Sequence, residues 1–226
     1  MTYDMNGKRV LVTHADRFMG PACAEEFSKN GAEILADASD LKSDEDCQRL
    51  IEGAGLIDVL IVNLAAPNLY GTLVTELDEP AWQETFSLLV HPLHGLVRHT
   101  LPEMIARRKG KIIVFGSATP LRPMGRLAAY SAARGAQISY VKSVGVEVAR
   151  HNVQVNLIAQ NWVENPAYYP PDLQANPKFQ KNLKEQVPIG RLAKPEEDVA
   201  LALFLASDQS DFFVGQAIPF AGGWAS

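Results

Sequence analysis

Hydrophobic residues fall in short unbroken runs, separated by stretches where they recur every three or four positions. Residues 8–13 (KRVLVT) form a β-branched run with the length of a buried strand. Residues 20–33 (GPACAEEFSKNGAE) have helical spacing, and Asn30-Gly31 supplies a C-terminal stop. EILADA is the next strand, ending at Asp37, and residues 43–55 read as a helix. A strand over 57–65, a long helical region over 79–110 and a fourth strand over 111–117 follow. The pattern continues with a helix over 126–150, a strand over 153–159, a helix over 195–209 and a last strand over 215–223. Strands alternating with helices predict an α/β fold: a single Rossmann-like domain over 1–226, its doubly wound parallel sheet flanked by helices on both faces.

One long stretch, 160–179, breaks the pattern and reads as irregular, rich in proline, asparagine and aromatics. With the residues up to 188 it is expected to form a substrate loop, since long loops after a strand's carboxyl end carry ligand contacts in such folds. The sequence shows no repeat, linker or low-complexity tract.

Composition narrows the function classes. The chain has 226 residues, 47% hydrophobic and 21% charged, with a formal net charge of −5. The one basic cluster is the RRK of 107–109, which argues against nucleic acid and against an anionic membrane surface as partners. No signal-peptide core and no apolar run of membrane-spanning length is visible, so a cytoplasmic location is expected. Cys23 and Cys47 are too few for a disulfide framework or a zinc site. His91, His94 and His99 lie along one helical region without a carboxylate at metal-ligand spacing, so no metal is expected and an interface or surface role is favoured. Trp82 and Phe86 are spaced as packing residues, and Asp58, opening a strand, as a backbone contact.

Candidate chemistry gathers after the fourth strand. Ser117 closes that strand, Tyr130 opens the next helix after twelve intervening residues, and Arg134 lies one turn further on. The i, i+4 spacing places phenol and guanidinium on one helical face. An arginine at hydrogen-bonding range would favour the phenolate. Bringing a phenol toward neutrality by two pH units takes about 2.7 kcal/mol, which one partly buried charge can supply. Tyr130 is thereby a candidate general base, with Ser117 orienting a substrate hydroxyl. A Tyr-x-x-x-Arg pair alone is more often a surface cation–π contact; its placement after a strand-end serine raises this instance.

The other distinctive segment is VTHADRFMGPA, 12–22, where a dinucleotide-binding fold keeps its glycine turn. Here only Gly20 remains, and Phe18 stands where a second glycine would admit a pyrophosphate.

The Ser117…Tyr130-x-x-x-Arg134 spacing, the NLA of 63–65 and the terminal AGGW resemble the short-chain dehydrogenase/reductase superfamily over essentially the whole chain. Arg134 in place of the superfamily lysine, together with Thr13-x4-Phe18-x-Gly20, resembles its halohydrin dehalogenase offshoot. HPLHGL, GRLA and SDFFVGQ are similar to that family's B-type members. The resemblance implies cofactor-free conversion of vicinal haloalcohols to epoxides, and the reverse opening of epoxides by halide, azide, cyanide or nitrite. It implies a homotetramer, and Ser117, Tyr130 and Arg134 as the catalytic residues. Phe18, Gln160, Asn161, Trp162, Val163 and Tyr169 would surround the halide, with the backbone amides of Trp162 and Val163 holding it. Plain packing is the alternative for Tyr168 and Tyr169. The superfamily's proton-relay asparagine falls at His91 or a neighbour, Pro188 and Arg191 match a structural turn, and Pro67, Asn68, Leu121 and Trp162 would set pocket shape. The chain stops at GGWAS, leaving little tail to reach a neighbouring subunit's site. Two rival readings stand beside this one: an NAD(P)-dependent reductase with an atypical turn, using Asp37 for the adenosine ribose, and a catalytically silent binding subunit.

Overall fold

The computed structural model describes residues 3–66 and 71–226; Pro67 and Asn68, expected to shape the pocket, lie outside them. Strands β1 (Arg9–Val12), β2 (Glu33–Ala36), β3 (Val59–Asn63), β4 (Gly110–Phe115), β5 (Val153–Gln160) and β6 (Ala217–Phe220) pair in parallel, in the order β2-β1-β3-β4-β5-β6. The expected Rossmann-like sheet is present.

Helices cover both faces, so the central strands are hydrophobic at nearly every position. Val10, Val12, Val59, Ile61, Ile113 and Phe115 point to one side, where they pack with Met19, Cys23 and Phe27 of the α1 segment (α1 is Gly20–Lys29) and with α8 (Pro195–Ala206). Leu11, Leu60, Val62, Ile112 and Val114 point to the other. There they meet α2 (Asp44–Ala54), α3 (Glu79–Leu89), α4 (His91–Arg107) and α5 (Ala128–Val148). The period-two alternation of a strand thus feeds two cores at once.

Local signals explain most boundaries. Ser43 and Asp46 form a reciprocal capping box that starts α2. α1 ends before Asn30, and Gly31 takes the left-handed turn at φ +94°.

Two expectations need correction. The helical region 79–110 is two helices broken at Val90, because Pro92 has no N–H to donate back into the first helix, and that missing donor suits the first turn of a new one. The stretch 160–179 is irregular only in its first half. Its second half holds α6 (Pro171–Ala175) and the start of α7 (Pro177–Gln186), each opening on a proline, with Asn176 capping α7 through Lys178 N at 2.9 Å.

The order of strands reverses between β1 and β3, and a crevice opens beyond their carboxyl ends. The segments leaving β1, β3, β4 and β5 converge there. Among the described residues no helix is long and apolar enough to cross a membrane, and no cluster of three or more His, Cys, Asp or Glu is placed to hold a metal.

Candidate active site

The crevice holds a cavity of about 640 Å³. Ser117, Tyr130, Arg134, Phe18, Gln160, Asn161, Trp162, Val163 and Tyr169 all line it, so the structure gathers the nine residues expected at the catalytic and halide positions around one space.

After β4, Gly116 lets the chain turn against Leu157, whose Cδ2 would lie 2.6 Å from any added Cβ. Ser117 follows, buried, with its Oγ 3.1 Å from Thr119 Oγ1 and accepting from Thr119 N at 3.2 Å. Tyr130 and Arg134 share one face of α5. Their contact differs from the expected one: the Arg134 guanidinium carbon lies over the Tyr130 ring, 5.1 Å from its centroid. Its hydrogen bonds go elsewhere, from Nη1 to Phe115 O (3.1 Å) and Gln137 Oε1 (3.0 Å), and from Nη2 to Leu64 O (3.0 Å). Buried carbonyls at the ends of β3 and β4 draw the fork inward, so the charge reaches the phenol through the ring face. Gln137 passes the network to Leu89 O at 2.7 Å, beside the α3–α4 break. His91 is exposed and does not line the cavity, so the expected relay position is not filled by it; the polar contact at the break is made by Gln137.

His94 and His99 also face away, bonding Tyr140 and Asp44. Trp82 and Phe86 pack on each other at 4.9 Å. Asp58 accepts from Arg9 N and pairs with Arg107.

The turn after β1 is tied from beneath. Asn63 Nδ2 donates to His14 O (3.1 Å) and Arg17 O (3.0 Å), and its own N–H donates to Thr13 Oγ1 at 2.9 Å. Ala15 N reaches Asp37 O at 2.7 Å. His14 and Phe18 both take left-handed backbone, φ +45° and +52°, a conformation costly for bulky residues. Gly20 is required by close approach: a Cβ there would sit 2.3 Å from His14 O. Burial, helped by the Arg17 charge, holds the His14 imidazole below its ordinary range. Asp37 Oδ1 accepts from Ser39 Oγ, and its Oδ2 is buried without a partner among the described residues.

The opposite wall comes from the loop after β5. Trp162, at φ +61°, stacks on Tyr169 with centroids 6.0 Å apart, and Phe179 lies against both. The Trp162 amide already donates to Asn161 Oδ1 at 2.9 Å, so of the two amides expected to face a halide only that of Val163 makes no hydrogen bond among the described residues. Gln160 Oε1 and Trp162 Nε1 are likewise buried without partners there.

Sequence reasoning missed Tyr168 as a site residue. Its ring packs 5.6 Å from that of Phe18, and its hydroxyl donates to Ala66 O at 3.1 Å. The adjacent aromatic pair offered no signal to rank one over the other. Leu121, partly buried, packs against the core instead of lining the cavity, where Arg122, Pro123 and Met124 stand. Trp224 turns back over the chain's own cavity, held by Arg122, which donates to its carbonyl at 2.8 Å and lies over its ring.

Comparison with known proteins places this geometry. Residues 2–225 match the family model described as enoyl-(acyl carrier protein) reductase. The chain is 26% identical to dehydrogenase/reductase SDR family member 4 of Bos taurus, over 97% of this chain and 88% of that protein. Among solved structures, a dehalogenation enzyme superposes with a TM-score of 0.91 at 30% identity, covering 100% of both chains. An L-sorbose reductase from Gluconobacter frateurii, solved with NADPH and L-sorbose, superposes at 0.90 with 26% identity, over 99% of this chain and 98% of its own.

Proposed function

The chain belongs to the short-chain dehydrogenase/reductase superfamily, and from that premise we propose that it is a cofactor-independent halohydrin dehalogenase. The observation that carries this reading is the turn after β1. Its Phe18 lines the same cavity as Ser117 and Tyr130, in the place a pyrophosphate would need.

The nicotinamide dinucleotide that the superfamily implies does not fit these residues. Phe18 lines the cavity on left-handed backbone, and its ring stands where the turn of a dinucleotide-binding fold keeps a glycine for the pyrophosphate. Arg134, standing for the superfamily lysine, gives its Nη donors to two backbone carbonyls and Gln137, leaving Nε alone without a partner among the described residues.

In the reaction we infer, Ser117 and Tyr130 hold the hydroxyl of a vicinal haloalcohol. Tyr130 removes its proton, with Arg134 over the ring attracting the phenolate charge. The alkoxide attacks the adjacent carbon in line, the carbon–halogen bond breaks, and an epoxide and a halide result. No covalent enzyme intermediate is needed, because the substrate carries its own nucleophile. Phe18, Tyr169 and Trp162 offer ring edges to the departing anion, Gln160 and Asn161 frame it, and the Val163 amide supplies a donor. Reversed, the same site opens an epoxide with halide, azide, cyanide or nitrite. A homotetramer belongs to this reading as its expected assembly.

A reductase is the second reading, favoured by the unpartnered Asp37 Oδ2 at the end of β2 and by relatives that are themselves reductases. One experiment separates the two: halide release from a small vicinal bromoalcohol without nicotinamide, in the parent and in Tyr130→Phe. We expect release in the parent and a loss of about 10²-fold or more in the variant. Absence of release, together with NADPH-dependent carbonyl reduction, would return the chain to the reductases.

A further inference from the structure

Resting on the dehalogenase reading, we propose that the substrate carries a carboxylate beyond its carbinol carbon, and that Arg122 at the cavity rim binds it. A cavity of about 640 Å³ falls in the range of about 300–1,000 Å³ that takes ligands well beyond a small haloalcohol. Its charge has one sign. The chain holds 26 Asp and Glu, yet none of them lines the cavity among the described residues, where the charged side chains are those of Arg122 and Arg134. Arg134 is buried, with its Nη donors already given to Phe115 O, Leu64 O and Gln137. The cation left for a ligand is Arg122.

Its position is fixed at both ends. Ala118 O accepts from Leu121 N at 2.9 Å and from Arg122 N at 3.1 Å, so a tight turn ties the Arg122 backbone to the residue after Ser117. At the other end the guanidinium carbon lies 5.1 Å from the Trp224 ring centroid, and Nη1 donates to Trp224 O at 2.8 Å. Trp224 is buried, so the planar fork rests on a fixed platform. Arg107 and Arg191 pair with carboxylates, but Arg122 pairs with none among the described residues. Its remaining N–H groups match the two oxygens of a ligand carboxylate. Arg122 is exposed, so its charge keeps its water until a ligand arrives. Met124, Leu127 and Trp224 also line the cavity and suit a short methylene stem.

The test compares an acid with its carboxamide, a neutral group of the same shape. Calorimetry measures binding of 3-hydroxybutanoate and 3-hydroxybutanamide, and halide release gives KM for their 4-bromo derivatives. In the parent we expect the acid to bind about tenfold more tightly than the amide, with a KM ratio of about the same size. Arg122→Gln should bring both ratios to about one, and Arg122→Lys, which keeps the charge without the fork, should restore part of the preference. No measurable binding of the acid by the parent, or a parent ratio near one, overturns the proposal. A preference that survives in Arg122→Gln overturns it too, even where that variant weakens both ligands or lowers the melting temperature, since equal weakening is the pattern of a strut for Trp224. The halogen-free pair needs no turnover. Failure of the parent to release halide therefore strikes the dehalogenase reading alone, and the calorimetry still decides the role of Arg122.

Discussion

Asp198→Leu should stabilise this protein, and increasingly so as pH rises. Asp198 lies in the first turn of α8, fully buried, and neither carboxyl oxygen has a partner among the described residues. Cys23, on the facing helix α1, is a close neighbour, and its thiol is itself raised by burial and then by Asp198. Desolvation pushes the Asp198 carboxyl well above the ordinary range, so the folded chain holds a proton that the unfolded chain has released. The sign follows. Stability contributed at low pH is lost as pH climbs from the unfolded carboxylate value toward the folded one. The loss amounts to about 1.4 kcal/mol for each pH unit in that window.

Leucine carries two methyl groups on a fork where aspartate carries two oxygens. Removing an unsatisfied buried polar group returns about 1–3 kcal/mol, and tight packing of the extra bulk opposes this by a similar amount. That uncertainty shifts the whole curve and leaves its slope untouched, so the slope is the quantity to measure. For a chain of this length each kcal/mol moves the melting temperature by about 2–4 °C. The gap between variant and parent should therefore widen by about 3–6 °C per pH unit from about pH 5 upward, at matched protein concentration. Parallel melting curves across that range would refute the reasoning, since they require a carboxylate that ionises inside the fold without penalty.

Two further substitutions test the turn after β1. Asn63→Ala removes the side-chain donor from His14 O and Arg17 O, which keep the backbone N–H groups of Arg17 and Gly20, and should cost about 1–3 kcal/mol in urea unfolding, with unchanged m-value. Phe18→Ala removes the aromatic edge from the halide side of the cavity and the support under Tyr168. Chloride inhibition of bromoalcohol turnover should weaken by about tenfold, roughly 1.4 kcal/mol, with the melting temperature little changed.

Much of this architecture is legible in the sequence, because buried parallel strands such as VLIVN and KIIVF admit no other reading. The gathering of all nine expected site residues follows from the same logic, since they end a strand, stand in the loop after it or lie in the first two turns of the next helix. What escaped is set by tertiary contacts. Asp198 follows two glutamates in an acidic first turn, which reads as a solvated helix start, and only the packing of α8 on α1 buries it. Arg134 satisfies the i, i+4 spacing, yet spacing says nothing of the carbonyls of Leu64 and Phe115 that draw its fork away from the phenol. Tyr168 and Tyr169 are adjacent aromatics, distinguishable only by what each touches. The helices α6 and α7 were hidden by prolines that here begin helices instead of ending them.

The turn after β1 has a consequence for the chain's redesign. Exchanging Phe18 for glycine would vacate a ring and relax one left-handed residue, yet it would also strip the Tyr168 ring of its packing partner. His14 would keep its own left-handed backbone, its carbonyl still tied to Asn63. The turn after β1 and the loop after β5 are thus joined through one aromatic contact, and reshaping the first for a larger ligand reshapes the second.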